Sequence, residues 1–192
     1  MHTVLSTLGI TIDPFTFTHN NVIGTHILLD AALSYGKIAR FVHVSTDQTY
    51  GETDGVFATK SHPLGPTNPY SASKAATEMY VNAYYKSFDI SAIIVRSNKA
   101  YGPCQYPKKI ISVLEKNTRR YRYASDAADA FDTVLHRGFE GEIYDIDSAY
   151  EVDNLSVASK VPVHFGRDFD SSIDWVSDCP FNDSKNRVNG TK

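Results

Sequence analysis

Sulfur and indole are scarce in this chain. Its 192 residues hold two cysteines, two methionines and one tryptophan. Cys104 and Cys179 stand in unrelated contexts, which argues against a disulfide framework and against a cysteine zinc site. The same scarcity fits a reducing, cytoplasmic compartment. No apolar run reaches the ~20 residues of a membrane-spanning helix. Residues 1–15, MHTVLSTLGITIDPF, lack a basic segment followed by a sustained apolar one, so no secretion signal is expected. Positive charge is not in excess. Nineteen Lys and Arg against 22 Asp and Glu give a formal net charge of −3, which favours neither nucleic acid nor an anionic membrane as partner. There is no internal repeat and no low-complexity tract. The seven histidines (His2, His19, His26, His43, His62, His136, His164) show no ligand spacing, so no metal site is expected. Asp126, Asp129 and Asp132 recur every third residue, but the glycine and glutamate of a calcium loop are absent.

What is present reads as alternating helices and strands. NNVIGTHILLDAALSYG (20–36) places Val22, Ile23, Ile27, Leu28 and Ala31 on one stripe and stops at Gly36. Phe41, Val42 and Val44 form a strand. Residues 53–69 are a polar loop, and a helix follows from Tyr70 to about Phe88. SAIIVRS (91–97) is apolar on both faces, as in a parallel sheet covered by helices. NKAYGPCQYP reads as a loop and 108–116 as helical. SDAADAFDTVLHRG is a helix with Ser125 or Asp126 as its cap and Gly138 as its end. GEIYDID is a strand, and SSIDWVS (171–177) is a further candidate. This order predicts an α/β fold with a parallel sheet. Residues 183–192 are polar and are expected to form a disordered tail.

The chemistry collects where strands end. RFVHVSTDQTYGE (40–52) is an apolar strand that delivers Ser45, Thr46, Asp47 and Gln48 in a row. In open parallel sheets, ligands bind beyond the carboxyl ends of the strands, and Asn98 and Lys99 occupy a second such end. Downstream, NPYSASKAATE places Tyr70 and Lys74 four residues apart on one helix face. An ammonium near a phenol lowers its pKa, which suits a general base acting on a sugar hydroxyl. Tyr-x-x-x-Lys alone is more often a surface pair. Its position after the Ser-Thr-Asp strand end is the more specific signal.

With these stretches (NNVIGTHILLDA, RFVHVSTDQTYGE, PTNPYSASKAATEMYV, VRSNKAYGPCQYPKKII, RRYRYASDAADAF, GEIYDI and DCPFND) the chain resembles the extended short-chain dehydrogenase/reductases. Within them it is similar to the nucleotide-sugar 4,6-dehydratases of the dTDP-glucose type. The resemblance covers most of residues 15–183. It implies a Rossmann-like, doubly wound parallel sheet, NAD as cofactor, a dTDP- or UDP-glucose substrate, and a homodimer through helices 20–35 and 70–87. By position it implies Tyr70 as base and Lys74 as the holder of the nicotinamide ribose, with Ser45 and Ala100 also lining the cofactor. Thr46 would bond the sugar 4-hydroxyl and Asp47 would be the general acid. Asn98, Lys99, Lys109 and Arg119 would contact the substrate.

Several residues depart from that pattern. The family's fourth strand-end residue is a glutamate that removes the C5 proton, whereas this chain has Gln48. An amide is no proton acceptor at neutral pH. Lys99 stands where these enzymes place an asparagine, Ala100 where some have an asparagine and others a valine, and Cys179 where an arginine is usual. The Gly-x-x-Gly-x-x-Gly turn that cradles a pyrophosphate does not occur. The expectation is a single truncated domain over 1–182 that enters the fold before its fourth strand, has a reduced C-terminal part and binds NAD weakly. Two alternatives stand beside dehydration: a catalytically degenerate binding or dimerisation module, and a related epimerase or reductase activity.

Overall fold

The computed structural model describes residues 13–53, 57–105, 118–148 and 150–172. Asp13 accepts a hydrogen bond from Phe15 N, and Pro14 fills the first turn, where its missing N–H costs nothing. This start sets α1 (Pro14–Phe17), which continues through a π-helical segment, Thr18–Ile23, into α2 (Gly24–Tyr35). The helix thus begins at Pro14 and not at Asn20, because the Asp-Pro start precedes the apolar stripe. Gly36 ends it in the left-handed region at φ 66°, its N–H bonded to Ala32 O. β1 (Phe41–Thr46) leads into a 3₁₀ turn, Asp47–Tyr50. α3 (Pro69–Phe88) opens on a capping box in which Asn68 Oδ1 accepts from Ser71 N and Ser71 Oγ accepts from Asn68 N.

β2 (Ala92–Ser97) is followed, after Asn98, by β3 (Lys99–Tyr101). The stretch read as a loop therefore contains a strand. Three residues are too few to show a period of two, and this strand exists by pairing with β4 (Thr118–Tyr123). β4 feeds directly into α4 (Ala124–Arg137), which has no side-chain cap. Ser125 Oγ donates to Asp126 Oδ1 and caps nothing, so the cap expected at Ser125 or Asp126 is not formed. Gly138 does close the helix, its N–H bonded to Val134 O. β5 (Ile143–Ile146), β6 (Glu151–Asp153) and α5 (Asn154–His164) follow, and β6 and α5 were not anticipated. Ser171 and Ser172, the first two residues of the candidate last strand, lie in a 3₁₀ turn, Asp170–Ser172. The remainder of that strand, the helix expected over 108–116 and the tail lie outside the described residues.

The main sheet has the order β1-β2-β5, all parallel, with Thr46 beside Ser97 and Ser97 beside Ile146. Its strands alternate between two covers. Ala92 and Ile94 face Leu29, Val81 and Tyr84 of α2 and α3. Ile93, Val95 and Ile146 face Val134 of α4, with Phe131 and Ala130 packed beside it. Helices on both faces make this a doubly wound, Rossmann-like α/β sheet. A second sheet, β3-β4-β6, starts one residue beyond β2, with β3 parallel and β6 antiparallel to β4. Among the described residues no helix is long and apolar enough to cross a membrane, and no three His, Cys, Asp or Glu side chains could together hold a metal ion.

Candidate active site

The four polar residues at the end of β1 have a local reason to be there. Thr46 caps the 3₁₀ turn: its Oγ1 accepts from Gln48 N at 3.3 Å and donates to Asp47 Oδ1 at 3.0 Å. Thr49 Oγ1 closes back on Thr46 O at 2.8 Å. The turn therefore holds Asp47 and Gln48 just beyond the strand and buries Tyr50 beneath them.

α3 brings its functional face to the same place. Lys74 Nζ donates to Val44 O at 2.6 Å, which ties the helix to β1 two residues before Thr46. Phe17 of α1, 2% exposed, sets its ring edge against Tyr70 at 5.8 Å between centroids. Asn21 Nδ2 donates to Ser73 Oγ at 2.8 Å, so the π-helical segment is fixed to α3 as well. Burial first, and then the charge of Asp47, push the Tyr70 phenol up to about 12. Burial holds the Lys74 ammonium below its usual range, with Glu78 opposing. The lowering of the tyrosine's pKa anticipated from Lys74 is thus not seen in this arrangement, since the lysine's hydrogen bond goes to a backbone carbonyl.

Asn98 stands at the end of β2. Its Nδ2 donates to Asp147 Oδ1 at 2.7 Å. Asn98 Oδ1 and Gln48 Oε1 are both buried with no hydrogen-bond partner among the described residues. Native proteins rarely leave such atoms unsatisfied, and ligand sites are a common exception. Ser45 is 5% exposed and donates its hydroxyl to Glu78 Oε1 at 2.5 Å. Lys99 and Ala100 lie on β3, opposite Tyr121 and Arg122 of β4. Arg119 lies on β4 opposite Val152. Lys109 is outside the described residues.

Sequence reasoning missed Phe17, Asn21, Tyr50, Glu78 and Asp145. Only Glu78 left a signal: it falls four residues after Lys74 and eight after Tyr70, on the same buried stripe of α3.

The residues present fit the hydroxyl-rich, amide-bearing edge of a nicotinamide nucleotide. A lysine ammonium has three donors, and Lys74 gives one hydrogen bond, to Val44, among the described residues. Gln48 Oε1 and Asn98 Oδ1 are two unsatisfied acceptors just beyond the ends of β1 and β2.

The GDP-mannose 4,6 dehydratase family pattern matches residues 9–171. A trifunctional UDP-glucose 4,6-dehydratase/UDP-4-keto-6-deoxy-D-glucose 3,5-epimerase/UDP-4-keto-L-rhamnose-reductase of Arabidopsis thaliana is 43% identical over 189 residues, which cover 89% of this chain and 28% of that protein. The human dTDP-D-glucose 4,6-dehydratase is 37% identical over 191 residues, 89% of this chain and 54% of that one. The crystal structure of DesIV, a dTDP-glucose 4,6-dehydratase from Streptomyces venezuelae solved with NAD bound, superposes with a TM-score of 0.92 at 31% identity, covering 99% of this chain and 63% of that one. The chain thus spans between about a quarter and two thirds of the length of these relatives. By sequence pattern, sheet order and site geometry together, the chain belongs to the GDP-mannose 4,6 dehydratase family of extended short-chain dehydrogenase/reductases.

Proposed function

We propose that this chain acts on a nucleotide-activated glucose by the chemistry of 4,6-dehydration, with NAD as redox cofactor. The observation that carries the reading is the meeting of the Tyr70–Lys74 face of α3 with the Thr46-Asp47-Gln48 turn at the carboxyl end of β1. Bound NAD would supply reversible hydride exchange, and Ser45, Tyr70, Lys74 and Ala100 would hold it. Thr46 orients the 4-hydroxyl, and Tyr70 accepts its proton as the C4 carbonyl forms. Lys74 holds the ribose through its spare donors. The carbonyl acidifies the hydrogen at C5, and Asp47 is the proposed general acid toward the departing 6-hydroxyl. Asn98, Lys99, Lys109 and Arg119 are the proposed substrate contacts, and Ser45 and Ala100 line the cofactor side.

Gln48 breaks the sequence of steps. It occupies the position from which the C5 proton has to be removed, and an amide offers no basic lone pair at neutral pH. This favours a second outcome of the same site, in which oxidation at C4 proceeds and elimination stalls. The test mixes protein, NAD and either dTDP-glucose or UDP-glucose, follows NADH absorbance, and assays the 4-keto-6-deoxy sugar. NADH should form with little product, and Gln48→Glu should raise product formation by about 10²-fold or more. Equal product from the two proteins would show that another group is the base. Absence of both NADH and the 4-keto-6-deoxy sugar from both proteins would overturn the dehydratase reading.

We further propose a homodimer through α2 and α3. Their outer faces expose Ile27, Leu28, Met79 and Tyr80, and the two helices meet where His26 stacks on Tyr80 at 4.8 Å.

A further inference from the structure

Beneath the candidate site lies a charged cluster that the proposed chemistry does not use. Arg96, on β2, is 4% exposed, Glu78 1% and Tyr50 2%. Arg96 Nε donates to both Glu78 oxygens at 3.0 and 3.1 Å, and its Nη2 donates to Glu78 Oε2 at 2.6 Å. Its Nη1 donates to Tyr50 OH at 2.6 Å, and its carbon lies 4.6 Å from the Tyr50 ring centre. Tyr50 OH in turn donates to Asp145 of β5 at 2.9 Å. Glu78 Oε1 also receives the Ser45 hydroxyl. One guanidinium thus joins α3, the 3₁₀ turn, and strands β1, β2 and β5.

Stability alone does not account for such a cluster. Buried ion pairs cost desolvation that their attraction seldom exceeds, and apolar replacements are commonly neutral or stabilising. What a planar five-donor fork supplies is fixed geometry in two directions at once. The two directions here are specific. Glu78 is one helical turn below Lys74 and two below Tyr70, so its grip sets the rotation and height of α3 against the sheet. Tyr50 is the last residue of the turn that holds Asp47 and Gln48.

We propose that Arg96 is a positioning residue. It fixes the spacing between the helix bearing Tyr70 and Lys74 and the turn bearing Asp47 and Gln48, and it acts through Glu78 and Tyr50 without touching substrate or cofactor. The inference rests on the dehydratase reading for its kinetic consequence and on the contacts alone for its structural one. A displacement of about 1 Å between reacting groups costs on the order of 10²-fold in rate.

The test compares the unmodified chain with Glu78→Met/Arg96→Met, Arg96→Lys and Tyr50→Phe. Denaturant midpoints read global stability, and amide hydrogen exchange reads residues 47–51 and 70–74 without any ligand. NADH formation from NAD and dTDP-glucose reads kcat and KM. The double variant should keep its midpoint and its slow exchange at 93–95. Exchange at 47–51 and 70–74 should accelerate by about tenfold or more. Its kcat should fall by about 10²-fold with KM little changed, the pattern of lost alignment rather than lost binding. Arg96→Lys should not rescue either readout, because it keeps the charge and loses the fork. Should the double variant fail to fold, Tyr50→Phe, which deletes one hydroxyl, is expected to loosen 47–51 alone. Unchanged exchange in the folded variants, or full rescue by Arg96→Lys, would overturn the proposal. If the unmodified chain forms neither NADH nor the 4-keto-6-deoxy sugar, the dehydratase reading fails, and the exchange data still decide whether Arg96 positions the two segments.

Discussion

Asp145 is the titratable end of the buried cluster. Burial pushes its carboxyl up to about 6, with Glu78 and Asp147 adding to the rise and the Tyr50 hydroxyl and Arg96 opposing it. A raised folded-state pKa means that the fold favours the protonated form. The contribution of this group to stability is therefore complete below its unfolded value of 3.8 and is lost as the pH rises through about 6. Asp145→Asn removes that titration. Urea midpoints measured from pH 4 to 7 should fall with pH in the unmodified chain relative to the variant. Parallel curves for the two proteins would show that Asp145 titrates as it does in the unfolded chain. Gln48 behaves differently at the same scale. Its amide carries no titration, which residue type alone tells, whereas the shift at Asp145 depends on groups from three other elements.

At the scale of elements, the loop after β1 is held by one close approach. Gly51 adopts φ 72°, and a Cβ there would lie 1.9 Å from Gly65 O. With ψ −158° this positive-φ conformation is essentially restricted to glycine and costs a side-chain-bearing residue roughly 1–3 kcal/mol, and the backbone contact adds to it. Gly51→Ala should lower stability by about 2 kcal/mol or more. Gly24→Ala is the contrast. Gly24 lies in the helix with nothing within 4 Å of its would-be Cβ, so alanine there should stabilise by roughly 0.5–1 kcal/mol. Denaturant midpoints of the two variants, moving in opposite directions, check both. Gly36 was legible as the stop of α2 because its signal is local, whereas the cap expected for α4 at Ser125 or Asp126 is not formed. β3 was not, since three residues acquire strand geometry only from their partner β4.

For the whole molecule, the exposed apolar faces of α2 and α3 carry the consequence. Ile27 is 62% exposed and Met79 55%, on two helices that pack against each other. These exposed residues on adjoining helices are what the proposed homodimer would cover. Sedimentation equilibrium should report twice the mass of the 21.3 kDa chain, and Ile27→Glu/Met79→Glu should halve it while leaving the far-ultraviolet spectrum unchanged. A monomer before substitution would exclude the homodimer.

The sequence by itself determined what depends on neighbours along the chain. The alternation of apolar runs specified a parallel α/β sheet, and the four-residue spacing put Tyr70 and Lys74 on one helix face. The tertiary structure decided what depends on burial and on partners far away in sequence. It turned the Lys74 ammonium to Val44 O, raised the Tyr70 phenol, directed Ser45 to Glu78, and gathered Tyr50, Glu78, Arg96 and Asp145 into one cluster. The reason is physical. Helix period and caps follow from bonds within a few residues, whereas a pKa or a buried hydrogen bond follows from which groups the closed fold removes from water together.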